Sequence, residues 1–122
     1  KDRVEDAIYA VKAALQEGIV PGGGIALLNA ADNMNPKNFG EEILMKSIKS
    51  PFFTIMSNAS IEEYDIPTKK GEGYDVTTGK ISGIVDPALV TKTALKNAVS
   101  VAKTIISADC IISNIRLDNA SS

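Results

Sequence analysis

The chain has 122 residues, 44% of them hydrophobic and 23% charged, with a formal net charge of −2, one cysteine and no histidine. That is enough apolar material for one modest core. The charge balance gives no electrostatic basis for binding nucleic acid or an anionic membrane surface. Without histidine, and with Cys110 alone, His-based nucleophilic triads, the usual zinc sites and an internal disulfide framework are excluded. A lone cysteine fits a reducing compartment. No apolar run reaches membrane-spanning length, and the opening Lys1-Asp2-Arg3 has no signal-peptide pattern. Any chemistry must therefore use carboxylates, hydroxyls, lysines and backbone amides.

In chain order, Val4, Ala7, Ile8, Val11, Ala14 and Leu15 follow helical spacing and predict an amphipathic helix over residues 4–17. Asp6 lies off that stripe, on a face shared with Asp2, Ala10 and Ala13, where small side chains leave room for something to approach a carboxylate. By spacing alone, the reading of Asp6 as a solvated acid near a helix N-terminus prevails. Gly18 suits a helix terminator. The stretch Gly18-Ile19-Val20-Pro21-Gly22-Gly23-Gly24 then separates this helix from a short apolar one over residues 24–31. Three successive glycines cost conformational entropy and call for a reason. Close approach of a ligand is one, since N–H groups at a helix start can face an anion, and a flexible linker is another.

Residues 32–38 read as a loop, followed by a helix over 39–50 burying Phe39, Ile43, Leu44 and Ile48. Pro51 restarts a helix with Phe52, Phe53, Ile55 and Met56 as core residues. Ser60-Ile61-Glu62-Glu63 has the capping-box pattern for a further helical turn, limited by Pro67. Residues 73–81 predict a β-hairpin turning at Thr78-Gly79. Asp86-Pro87 opens the longest helix, with Asp86 as its cap and Val90, Ala94, Leu95, Ala98, Val99, Ala102, Ile105 and Ile106 as a broad apolar face. Residues 110–115 predict a closing strand with no sequential partner, and residues 118–122 a disordered tail.

Several pieces, in order, carry a resemblance over nearly the whole chain. They are Arg3-Val4-Glu5-Asp6-Ala7, Glu17-Gly18-Ile19-Val20-Pro21-Gly22-Gly23-Gly24, Gly73-Tyr74-Asp75, Gly83-Ile84-Val85-Asp86-Pro87 and Val90-Thr91-Lys92-Thr93-Ala94-Leu95. Together they resemble the C-terminal third of a group I (GroEL-type) chaperonin subunit, although Pro21 is closer to the archaeal and eukaryotic group. The resemblance implies a mainly α fold: half of a multihelical equatorial domain with a small β-hairpin and a C-terminal strand. Residues 1–16 would be the last helix of the intermediate domain and residues 17–122 the C-terminal half of the ATP-binding equatorial domain.

It further implies an ATPase that assists protein folding in a homo-oligomeric ring, acting on unfolded polypeptides with a cochaperonin, in the cytoplasm or an organelle matrix. Asp6 matches the carboxylate that orients the attacking water. Gly22, Gly23 and Gly24 match the turn against the ribose, and Asp75, Val76 and Thr77 the segment lining the adenine. Ile84 matches the apolar contact under the base, and Asp86 the acid accepting hydrogen bonds from the ribose hydroxyls. ATP or ADP is the implied cofactor. Mg2+ would be held by the N-terminal part of such a subunit, with no metal ligand in this chain. The phosphate loop and the Asp-Gly-Thr-Thr segment of that family have no counterpart here, so this chain alone is expected not to hydrolyse ATP. Two stretches, residues 57–73 and 78–82, are shorter than the family pattern. The alternative reading is a free-standing equatorial-like module without ATPase activity that binds a ring or partner through the strand at 110–115. Under the chaperonin reading, the isolated chain is expected to aggregate or oligomerise through uncovered apolar faces.

Overall fold

The computed structural model describes the backbone of residues 2–120 and the side chains of residues 2–108. It divides into two units, Lys1–Val90 and Thr91–Ser122. The element order is α1 (Asp2–Glu17), β1 (Ile19–Pro21), α2 (Ile25–Asp32), α3 (Phe39–Asn58), β2 (Gly73–Asp75), β3 (Lys80–Ser82), β4 (Val85–Pro87) and α4 (Ala88–Ala120). The fold is mainly helical, as expected, with two small antiparallel strand pairs, β1–β4 and β2–β3.

In the first unit, Ile25, Leu28, Phe52, Met56 and Tyr74 form the core, with Ile55, Ile61, Tyr64 and Val76 packed against it. Phe52 is its centre: it is fully buried, and Tyr64 and Tyr74 meet its ring edge-on at centroid distances of 5.3 and 6.2 Å. Such tilted pairs add to the gain from burial because each positive ring edge meets a negative face. The α2–α3 pair is tied outside the core by Lys49 to Asp32 at 2.7 Å, an exposed bridge of small energetic weight.

Helix α3 differs from the expectation in two ways. It runs unbroken through Pro51, so residues 39–50 and the segment after Pro51 are one helix. Asn38 caps its start by accepting from the Glu41 amide at 2.9 Å, and the Glu41 carboxylate reaches back to the Lys37 amide at 2.6 Å. Phe39, Ile43, Leu44 and Phe53 are exposed, and only Ile48, Phe52 and Met56 of this helix are buried. Ser60 starts no helix; it ends α3. It takes a φ of 56°, its N–H donates to the Ser57 carbonyl at 3.0 Å, and the Ile61 N–H donates to the Met56 carbonyl at 3.0 Å. This pair of bonds is a Schellman C-cap, with Ile61 folded back on the core beside Met56. The capping-box pattern was thus a coincidence of residue types after a helix end.

Helix α1 also turns out differently. Val4, Ile8, Val11 and Leu15 of its apolar stripe are exposed, whereas Ala13 is buried and Ala10 and Ala14 are half-buried. The helix packs on β4, and its alanines let it come close. Gly18 then ends α1 with a φ of 84°, its N–H donating to the Ala14 carbonyl at 2.8 Å.

The expected hairpin is present, with Gly73 opposite Ser82, Tyr74 opposite Ile81 and Asp75 opposite Lys80. The pairing of β1 with β4 was not anticipated: Ile19, Val20 and Pro21 lie opposite Pro87, Asp86 and Val85. Asp86 therefore belongs to a strand and does not cap α4, which begins at Ala88. In the second unit, α4 continues through residues 110–115, where a strand was expected. An apolar segment with no neighbouring strand satisfies its backbone groups within itself only as a helix. Residues 118–120 are helical as well, and the rest of the expected tail lies outside the described residues. Val99, Val101, Ile105 and Ile106 of α4 are exposed.

Two left-handed glycines separate backbone strain from steric fit. A methyl group at Gly18 (φ 84°) would meet nothing within 4 Å, whereas one at Gly24 (φ 81°) would lie 2.8 Å from the Phe52 Cα. Gly18→Ala is expected to cost about 1–2 kcal/mol. Gly24→Ala should cost about 1–3 kcal/mol more, because the helix α3 backbone cannot yield as a side chain can. Urea unfolding of the two variants checks the difference.

Candidate functional site

The triple glycine is a wall between elements. Pro21 ends β1, residues 22–24 turn, and α2 begins at Ile25 with Gly24 as a cap that offers no side-chain acceptor. The Gly22 N–H donates to the Ile84 carbonyl at 2.8 Å, and the Tyr74 N–H donates to the Gly22 carbonyl at 3.3 Å. This one residue thereby joins the approach to β4 and strand β2. A methyl group at Gly22 would lie 2.6 Å from Ile84 Cγ2, and one at Gly23 would collide with the Tyr74 carbonyl. Gly73 approaches just as closely, with a built methyl 2.8 Å from the Gly22 nitrogen. Gly22 and Gly73 are buried, and Gly23 and Gly24 are half-buried. The fold itself thus supplies a reason for glycine at these positions: backbone passes backbone with no space for Cβ.

The structure brings Gly22, Gly23, Gly24 and Ile84 together in one hydrogen-bonded knot, with Asp75 and Asp86 on the two strands that enter it. Ile84 remains partly exposed at 40%, so its side chain both covers Gly22 and presents apolar surface. Asp86 is half-buried in β4 opposite Val20. Among the described residues no protein group donates a hydrogen bond to its carboxylate or pairs with it. Burial pushes its acid above the ordinary aspartate range.

Asp75 is the opposite case. Its Oδ1 accepts from the Thr77 hydroxyl at 2.6 Å and the Thr77 amide at 2.9 Å, which hold its acid below the ordinary range. That carboxylate closes its own turn, and Val76 turns towards the core. Thr77 stays exposed. Asp6 is exposed on α1, one turn before Ala10 on the helix face where Ala10 and Ala13 are the half-buried and buried positions. Tyr74 was absent from the sequence-level candidates, although it is the residue on which the knot and the hairpin meet. Its place in the Gly73-Tyr74-Asp75 piece, directly after a glycine, was the signal in the sequence. Among the described residues no three carboxylate, cysteine or histidine side chains converge to hold a metal ion. No helix among them is long and apolar enough to cross a membrane.

These features define a mainly helical scaffold that sets a glycine turn beside a half-buried acid with no partner among the described residues. The sequence profile of the TCP-1/cpn60 chaperonin family matches residues 1–116, and the chain belongs to that family. The mitochondrial chaperonin CPN60 of Brassica napus is 41% identical over 133 residues, covering 94% of this chain and 23% of that protein. The relationship is to the group I chaperonins. The chain spans about a quarter of the length of this curated relative. The matched stretch of 133 residues also exceeds the 122 of this chain, so the relative carries extra residues inside the matched span.

The two acids have opposite linkage to pH. For Asp86 the folded acid titrates above the unfolded one, so its contribution to stability is complete at pH values below the ordinary aspartate range and is lost as pH rises through its raised value. Asp75 contributes above the ordinary range and loses that contribution as pH falls through its lowered value. Asp86→Asn is therefore expected to melt higher than the parent at pH 7, with the gap closing on acidification. Asp75→Asn should melt lower at pH 7, with its gap closing in the same direction. Thermal melts across pH 3–7 read both.

Proposed function

We propose that this segment forms the ribose and adenine side of a chaperonin ATP site and supplies one carboxylate for hydrolysis. The observation that carries the reading is Asp86: a half-buried acid beside the glycine turn with no side-chain partner among the described residues. Burying an acceptor without a donor is unfavourable, and a ligand with adjacent hydroxyls would satisfy it. Gly22, Gly23 and Gly24 would lie along the sugar, where the missing Cβ atoms let backbone and ligand come close. Ile84 offers an apolar platform for a base, and residues Asp75, Val76 and Thr77 frame its edge from the hairpin.

Asp6 is the residue we assign to the water. A carboxylate can accept a water proton and point the oxygen lone pair at a phosphorus atom, and phosphoryl transfer depends chiefly on such positioning. Two facts favour Asp6: it shares the alanine face by which α1 packs, and α1 packs on the strand that bears Asp86. Movement of α1 would then bring the acid to the site only on closure. ATP bound here supplies the phosphoryl group. The phosphates and Mg2+ would be gripped by a part of the subunit other than this segment, so this segment alone would not turn over ATP.

By the same reading the complete subunit assembles into a homo-oligomeric ring that assists the folding of unfolded polypeptides, with a cochaperonin, in the cytoplasm or an organelle matrix. The relative's name is that of a mitochondrial chaperonin. Exposed Val4, Ile8, Val11 and Leu15 on α1, and Ile105 and Ile106 on α4, fit surfaces made to be covered by other protein. The partner-binding module has lost its proposed element, since residues 110–115 are helical.

In the complete subunit, Asp6→Ala is expected to reduce ATP turnover by about a hundredfold or more while nucleotide affinity stays within about threefold. Asp86→Ala should do the reverse, weakening binding by roughly tenfold or more through lost charge-assisted hydrogen bonds. Single-turnover hydrolysis beside equilibrium nucleotide titration separates the two. Equal loss of binding and turnover in Asp6→Ala would overturn its assignment.

A further inference from the structure

We infer that Tyr74 is a positioning residue for the nucleotide base: its hydroxyl fixes the hairpin loop against the glycine turn and thereby sets nucleotide affinity. The inference rests on the nucleotide-site reading above and deepens it.

Tyr74 engages three separate parts of the first unit. Its ring is 2% exposed and meets Phe52 in the core edge-on. Its backbone holds the glycine turn, with the N–H donating to the Gly22 carbonyl and its own carbonyl packed against Gly23. Its hydroxyl donates to the Gly79 carbonyl at 2.9 Å, across the loop of residues 76–79. The loop has local ties of its own: the Gly79 N–H donates to the Asp75 carbonyl at 2.9 Å, and Thr77 donates to the Asp75 carboxylate. Those bonds define its shape, and Val76 packs on the core at its start, but none of them ties its far end at Gly79 to the core. The Tyr74 hydroxyl bond anchors that far end, because the Tyr74 ring is locked in the core beside Phe52. A partly buried hydroxyl bond of this kind is directional and is lost when only the oxygen is removed.

Tyr74 touches the ligand through no assumed contact; it acts through residues 75–77. Its loss should therefore change affinity and spare the chemical step, since Asp6 lies on another helix. In the complete subunit, Tyr74→Phe keeps the ring in the core and removes the bond to Gly79. The expected result is a KM for ATP raised about threefold to tenfold, with kcat within about twofold. Hydrogen exchange of the Gly79 amide should quicken while the α2 amides keep their protection. Gly79→Ala provides a second route. Gly79 has a φ of 67° and open space around a built methyl, so alanine shifts the carbonyl without touching the core. It too should raise KM, and the double variant should be no worse than Gly79→Ala alone, since both break one bond.

A lower melting temperature with unchanged KM in Tyr74→Phe would show a merely structural residue and overturn the inference. So would additive effects in the double variant, or, if Tyr74→Phe does not fold, an unchanged KM in Gly79→Ala. Asp86→Ala serves as the control for the underlying reading. If it leaves KM unchanged, the nucleotide-site assignment fails. If it raises KM while the Tyr74 and Gly79 variants do not, only the role of Tyr74 fails.

Discussion

The fold of the first unit depends on one close passage of backbone against backbone. Gly22 donates to Ile84 and accepts from Tyr74; a side chain on Gly73 would strike the Gly22 backbone, and one on Gly22 would strike Ile84. Through that passage β1, β2 and the approach to β4 meet at the start of α2, and α2 carries the knot into the core at Ile25 and Leu28. A side chain at this crossing would push the strand pairs apart and expose Tyr74. The glycines serve packing first. Any binding function at the turn is added to a position the fold has already restricted.

The same crossing explains how the two strand acids differ. Asp75 sits at the end of β2, where Thr77 folds back on it and stabilises its charge. Asp86 sits in β4 opposite Val20, half-buried without a donor, so its charge is disfavoured. One carboxylate is used up by its own turn, and the other is left with its acceptors free. Of the pair, Asp86 is the better placed to receive hydrogen bonds from a bound molecule.

Apolar periodicity was a good guide to helices and a poor guide to which face is covered. The stripe Val4, Ile8, Val11 and Leu15 has the expected spacing yet lies exposed, and α1 packs by Ala13 and its alanine neighbours. Phe39, Ile43 and Phe53 on α3 repeat the pattern. Periodicity reports that a face is apolar, and a segment spanning about a quarter of its relative need not contain what covers that face. Ser60 shows a different failure: the same residue types that open a helix closed one, because a left-handed Ser60 lets its own N–H and that of Ile61 satisfy the Ser57 and Met56 carbonyls.

From the sequence alone came the helical class, the hairpin turning near Thr78 and Gly79, the terminator at Gly18 and the family, since all of these depend on residue type and short-range order. Tertiary structure alone decided that Ile19–Pro21 and Val85–Pro87 are paired strands, that Asp86 belongs to a strand and caps no helix, and that Tyr74 links the turn to the hairpin. It also decided that residues 110–115 are helical. Segments of three residues carry too little pattern to announce themselves, and their strand character exists only because a partner some 65 residues away in sequence supplies the other half of each hydrogen bond.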